Sequence, residues 1–169
     1  MTAKSRNQKS SHRYRLIPMR KKDLSSLVQL EKSIFPIDQW TEEMFIDELR
    51  KDPLSIKVVK IDDQVIGYVH AEVLDKKLRN GTVSRIGEIG SLAVHEDHRG
   101  KKLGETLIKH GIRRLKRKDS TKIVLHTRLD NVAMQQLAST KFGFKTTRIH
   151  KNAYEDGASA YEMVLLPIK

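Results

Sequence analysis

The run Arg99-Gly100-Lys101-Lys102-Leu103-Gly104 places two glycines and three cations between an apolar, strand-like stretch and the start of a helical pattern. That arrangement makes an anion site. The first N–H groups of a helix have no intrahelical partner and point outward. The helix dipole adds partial positive charge there. Glycine lets a phosphate approach the backbone closely. The run does not fit the GxxxxGK[ST] phosphate loop, because Glu105 follows Gly104. It also falls too late in the chain for the dinucleotide fingerprint, which follows the first strand of a βαβ unit. The residues alone therefore imply a phosphate-bearing ligand without naming it, and they suit equally a loop that merely turns with a basic, solvated face.

Other chemistry is bounded by composition. The chain has no cysteine, which excludes disulfides, thiolate metal sites and an acyl-enzyme thioester. His95 and His98 have HxxH spacing but no third ligand near them in the sequence, so no metal is expected. Arg113, Arg114, Lys116, Arg117 and Lys118 close a helix, where the dipole favours cations, and read as a solvated face.

Hydrophobic periodicity supplies the elements that must hold such a site. Residues 14–19 are short and extended. Residues 23–35 carry Leu24, Leu27, Val28, Ile34 and Phe35 at helical spacing, and "FPIDQW" breaks that helix. Thr41 is an N-cap, with Glu42 and Glu43 in the first turn of a second helix that ends before Pro53. Residues 55–74 read as a hairpin turning at Asp62-Asp63, and 84–96 as a further strand. A helix follows with Leu103, Leu107, Ile108, Ile112 and Leu115 on one side. Residues 121–129 form a buried strand, 131–142 a short helix capped by Asn131, and the chain ends in a hairpin across Glu155-Asp156-Gly157. The order β-α-α-β-β-β-α-β-α-β-β predicts an α/β (α+β) fold with a mixed, mostly antiparallel seven-stranded sheet and about four helices.

The formal net charge is +12. Eight cations and no acid fall in residues 1–22, leaving 25 cations and 21 acids among the other 147. Residues 1–12 are expected to form a disordered basic tail and 13–169 a single domain. The tail reads as a solubilising segment or as an arm that contacts RNA or the ribosome. No apolar run approaches the roughly 18–20 residues of a membrane span. A soluble, cytoplasmic protein with no membrane contact is expected.

At these residues the sequence resembles the GNAT acetyltransferase superfamily. "EIGSLAVHEDHRGKKLGETLI" is similar to its strand-loop-helix with [QR]-x-x-G-x-[GA], matched at Arg99 and Gly104, with Lys102 in place of the first glycine. "LDNVAMQQLASTKFGF" resembles the later N…GF segment and is one residue longer. "SIFPIDQWTEEMFIDEL" and "KNAYEDGASAYEM" resemble two motifs of the protein N-terminal acetyltransferases of the RimI-like and archaeal type.

The resemblance implies acetyl-CoA as cofactor. Its pyrophosphate is expected on Arg99, Gly100, Lys101, Lys102, Leu103 and Gly104, and its pantetheine arm along Leu92, Ala93 and Val94, helped by Asn131. It implies a peptide or protein N-terminus as acceptor, with Phe35, Pro36 and Ile37 lining the pocket for the first residue and Tyr154 gripping the backbone. Glu88 and His126 fall on the two strand positions that carry the family's catalytic base residues. His126 is preferred because imidazole titrates near neutrality. The family's thiolate-protonating tyrosine falls here on Ala138 or Ser139, so that acid is missing. The implied reaction is direct attack by the amine in a ternary complex. The rival acceptors are a polyamine, an amino sugar or a protein lysine, and a remoter rival is a basic, nucleic-acid-binding regulatory protein.

Overall fold

A computed structural model describes residues 14–166; the expected tail, 1–12, lies outside the described residues. The elements follow the expected order: β1 (Arg15–Pro18), α1 (Leu24–Ile34), α2 (Glu42–Lys51), β2 (Ile56–Ile61), β3 (Gln64–Lys77), β4 (Val83–Val94), α3 (Leu103–Arg117), β5 (Lys122–Arg128), α4 (Val132–Gln136), β6 (Lys145–His150) and β7 (Ala160–Leu165). The strands form one seven-stranded sheet ordered β1-β2-β3-β4-β5-β7-β6. Every neighbouring pair is antiparallel except β4 and β5. The fold class is the one the sequence implied.

Local chemistry explains the elements. Thr41 caps α2 by accepting the Met44 N–H at 3.4 Å, and acids open that helix while Arg50 and Lys51 close it. Asp62 turns the β2–β3 hairpin at φ 52, the left-handed conformation an aspartate tolerates in place of glycine. The apolar stripe of α3, including Leu107, Ile108 and Leu115, is buried on one sheet face with Val69, Ile89, Ile123 and Leu125. Leu27 and Leu30 of α1 and Phe45 of α2 bury against Val58 and Tyr68 on the other.

Three elements depart from the sequence reading. β3 and β4 run on to Lys77 and from Val83, because the antiparallel ladder carries polar residues that periodicity alone does not mark. The final hairpin does turn across Glu155-Asp156-Gly157, with Gly157 N–H donating to Tyr154 O at 2.9 Å and Ala153 N–H to Ala158 O at 2.8 Å, but its strands stop short of that turn, at His150 and Ala160. Beyond α4, residues Leu137–Lys141 wind as a π-turn. A π-turn takes up one extra residue without ending the helix, which accommodates the extra residue of that segment.

The site is set by where the sheet comes apart. β4 pairs with β5 only over Ile86–Ile89 against Lys122–Leu125. β4 then continues to Val94 paired with β3 alone, and β5 to Arg128 paired with β7 alone. The register between β3 and β4 shifts here: Ala71 faces Ile89 but His70 faces Ser91, so Gly90 is the bulged residue. A Cβ at Gly90 would lie 2.7 Å from His70 Nδ1. The His70 ring cannot yield, since it is buried, bonded through Nε2 to Glu48 at 3.0 Å and packed at a 57° tilt against Trp40, with ring centroids 4.8 Å apart. Gly90→Ala is expected to lower the unfolding free energy by about 1–3 kcal/mol. Chemical denaturation of the single and His70→Ala double variants checks this, because relief of the clash makes the two costs non-additive.

Candidate functional site

Two connected cavities occupy the wedge between β4 and β5. The larger, of 530 Å³, is walled by Leu92, Ala93 and Val94 on β4 and by Arg99, Gly100, Lys102, Leu103 and Gly104 of the loop that opens α3. Asn131, Met134 and Leu137 close it from the α4 side. Asn131 also caps α4, its Oδ1 accepting the Met134 N–H at 3.1 Å. Along Gly90–Val94, alternate backbone N–H and C=O groups face the gap with no β5 partner. The loop enters α3 through Gly100 at φ 73 and Lys102 at φ 60. Lys102 thus holds a left-handed conformation that glycine adopts freely. Its position is the one where the family pattern has its first glycine. Lys101 does not line the cavity: its ammonium turns back to donate to Asp97 O at 3.0 Å. Free strand edge, helix N-terminus and the Arg99 and Lys102 cations suit an amide-bearing arm that ends in phosphates.

The smaller cavity, of 170 Å³, shares Phe35, Leu92, Asn131 and Met134 with the first. Phe35, Ile37, Trp40, His126 and Tyr154 wall it; Pro36 and Glu88 do not. Pro36 lies on the loop between α1 and α2, whose outline a single buried carboxylate sets. Glu31 is 1% exposed. It accepts the Trp40 N–H at 2.8 Å and the Tyr68 hydroxyl at 2.6 Å, and Tyr68 also meets Ser91 Oγ at 2.7 Å. Burial raises the Glu31 pKa against the lowering effect of these bonds.

The cavity mouth is a strap between two loops. Asp38, at φ 61, accepts the Glu155 N–H at 3.1 Å and lies 3.7 Å from Arg128. Arg128 also pairs with Asp156 and covers the Tyr154 ring with its guanidinium 4.5 Å from the centroid. The phenol of Tyr154 is held protonated, its pKa raised first by burial, against the lowering effect of Arg128.

His126 stands on β5 at the back of this cavity. Its Nδ1 is 3.7 Å from Glu88 Oε1 across the parallel pair. The Glu88 carboxylate raises the imidazole pKa above its ordinary value, against desolvation, and Glu162 adds to the rise. Glu88 therefore stands behind the imidazole rather than in the cavity wall. Of the two residues at the family's tyrosine position, Ala138 is fully buried in the core, and Ser139 is exposed with its hydroxyl on Gln136 O at 3.3 Å. Neither faces the wedge. The strap residues Asp38 and Arg128 and the buried Glu31 escaped sequence reading. "FPIDQW" did carry a signal for the loop, but ion pairs between loops leave no periodicity.

The model of the acetyltransferase (GNAT) family matches residues 24–144. A Bacillus subtilis protein, whose name proposes it as a [ribosomal protein bS18]-alanine N-acetyltransferase, is 30% identical over 139 residues, covering 82% of this chain and 85% of that one. An N-alpha-acetyltransferase of Sulfurisphaera tokodaii is 23% identical over 159 residues, covering 92% of this chain and 94% of its own. Among solved structures, Arabidopsis thaliana Naa50 in complex with the bisubstrate analogue CoA-Ac-MVNAL superposes with a TM-score of 0.73. It is 22% identical, and the match covers 90% of this chain and 98% of that one. Among the described residues no helix is long and apolar enough to cross a membrane.

Lys102→Gly removes the strain of a left-handed non-glycine residue, at some cost in unfolded-chain entropy. It is expected to raise the unfolding free energy by about 0.5–1 kcal/mol, measured by urea denaturation of the ligand-free protein.

Proposed function

The chain belongs to the acetyltransferase (GNAT) family, and we propose that it transfers the acetyl group of acetyl-CoA to the N-terminal α-amine of a peptide or protein. The observation that carries this reading is the shape of the smaller cavity. It is a groove between the Phe35–Ile37 loop and Tyr154, open at the strap, with an imidazole at its back. Its carboxylates are already engaged, Glu31 by Trp40 and Tyr68 and Asp38 by Glu155 and Arg128. A polyamine calls for free acidic groups along its length, and this groove offers none. The names of the Bacillus and Sulfurisphaera relatives point the same way.

Acetyl-CoA would supply an acetyl group activated as a thioester. Leu92, Ala93 and Val94 would hold its pantetheine arm by backbone hydrogen bonds, with Asn131 opposite. The helix N-terminus of α3, with Arg99 and Lys102, would take the phosphates. The Val94 N–H would polarise the thioester carbonyl as a single oxyanion donor. Phe35 and Ile37 would receive the first side chain of the acceptor, and the Tyr154 hydroxyl its backbone. His126 would accept the proton of the attacking amine, directly or through a water, with Glu88 stabilising the imidazolium. An α-amine near pKa 8 is about one-tenth neutral at pH 7, so a base of imidazole strength suffices; a lysine near 10.4 would ask for more.

The test is acetyl-CoA turnover against short peptides with free N-termini, against the same peptides N-terminally blocked and carrying an internal lysine, and against spermidine. Turnover confined to free α-amines is expected; turnover confined to lysine or spermidine overturns the acceptor and leaves the family standing. His126→Ala is expected to lower kcat about 10²-fold with little change in the KM for acetyl-CoA. Arg128→Ala loosens the strap. It is expected to raise the peptide KM several-fold at nearly constant kcat, read from the same initial-rate assay.

A further inference from the structure

Beside His126, at an outward-opening cavity that shares His126 and Tyr154 with the acceptor groove, three side chains from three adjacent strands converge. Glu162 on β7 lies opposite His126 on β5 in the ladder, and His150 comes from the neighbouring β6. His150 Nε2 is 3.0 Å from Glu162 Oε2, and His126 Nε2 is 3.9 Å from the same oxygen. The ligand atoms of all three lie within 4.8 Å of one another. Two imidazoles and one carboxylate are the donor set of many zinc centres with an open position, and ligands about 2.0–2.1 Å from a tetrahedral ion stand roughly 3.3 Å apart. Closing the remaining gap takes small side-chain rotations. His126 and His150 are 38% and 37% exposed and free to make them.

We propose that His126, His150 and Glu162 form a site for a divalent transition-metal ion, with Zn²⁺ the best match, and that its occupation blocks acetyl transfer. The outer groups have the arrangement that orients metal ligands. Glu88 stands 3.7 Å from the opposite nitrogen of His126, and Thr147 Oγ1 donates to the other Glu162 oxygen at 2.8 Å. With neutral imidazoles, Glu88 and Glu162 place two negative charges beside the ion. Lys151 shares the outward-opening cavity with both histidines and offers no lone pair while charged. A metal on His126 Nε2 takes the electron pair that would accept the proton of the amine. The block rests on His126 serving as base; the binding does not.

Isothermal titration of the full chain with Zn²⁺, in a weakly coordinating buffer at neutral pH, is expected to show one tight equivalent that EDTA removes. Initial rates, read as acetylated peptide by mass, fall with the same saturation. Excess Mg²⁺, which prefers oxygen ligands, has no effect. His150→Ala keeps the metal-free rate, and both it and Glu162→Gln weaken Zn²⁺ binding at least about tenfold. Absence of binding, or affinity unchanged in both variants, overturns the site. So does inhibition that His95→Ala relieves and His150→Ala does not. Zn²⁺ binding that depends on His150 while turnover stays unchanged upholds the site and overturns the reading of His126 as base.

Discussion

The organising constraint is that a parallel ladder stops after four residue pairs. β4 and β5 hold together from Ile86 to Ile89 and from Lys122 to Leu125, and then diverge. Both cavities, the free edge of Leu92–Val94 and the position of His126 follow from that divergence. The bulge at Gly90 coincides with it, and the buried His70 ring fills the space that any side chain at Gly90 would need. His70 in turn is fixed from α2 by Glu48 and from the α1–α2 loop by Trp40. The helices on this face therefore hold the bulge that opens the sheet, as well as covering the core.

A second set of contacts joins the acceptor groove to the wedge. The Glu31 carboxylate reaches the loop at Trp40, β3 at Tyr68 and, through that hydroxyl, Ser91 on β4. Burying a carboxylate is costly unless its hydrogen bonds are made, so this network ties three elements in one geometry. The strap at Asp38 and Arg128 works differently. Its charges are partly exposed, where ion pairs contribute little to stability. Its effect is to fix two loops relative to each other rather than to hold the fold.

Much of this was legible in the sequence because it rests on local rules. The α3 stripe, the Thr41 and Asn131 caps and the glycine-bearing loop are written in spacings of three and four residues or in capping chemistry. The glycine replaced by Lys102 was visible as a departure, and the structure gives its physical content as a left-handed backbone. Lys101 illustrates a limit. Composition counted it with the anion site, but its rotamer is decided by the nearby Asp97 carbonyl. The resemblance puts Pro36 in the pocket lining and Glu88 with the base residues; Pro36 lies on the loop outside the lining, and Glu88 stands 3.7 Å from the imidazole without lining the cavity itself. Arg128, Asp38, His150 and Glu162 could not be grouped at all, since strand pairing and loop closure bring them together from separated segments.

The short parallel ladder also divides the molecule as a folding object. β1 to β4 form an antiparallel meander, and β5, β7 and β6 form a second antiparallel set in which β7 lies between β5 and β6. Within the sheet those four pairs join the two, and Ile123 and Leu125 of β5 share one core cluster with the α3 stripe. Local opening follows such seams, because units with few shared hydrogen bonds separate at lower free energy than the whole. A ligand hydrogen-bonded to both edges would add rungs where the ladder ends. At about 100 times its Kd it would stabilise the joined state by about 2.7 kcal/mol. In such a chain, holding the ligand and keeping the two halves of the sheet in register are one and the same equilibrium.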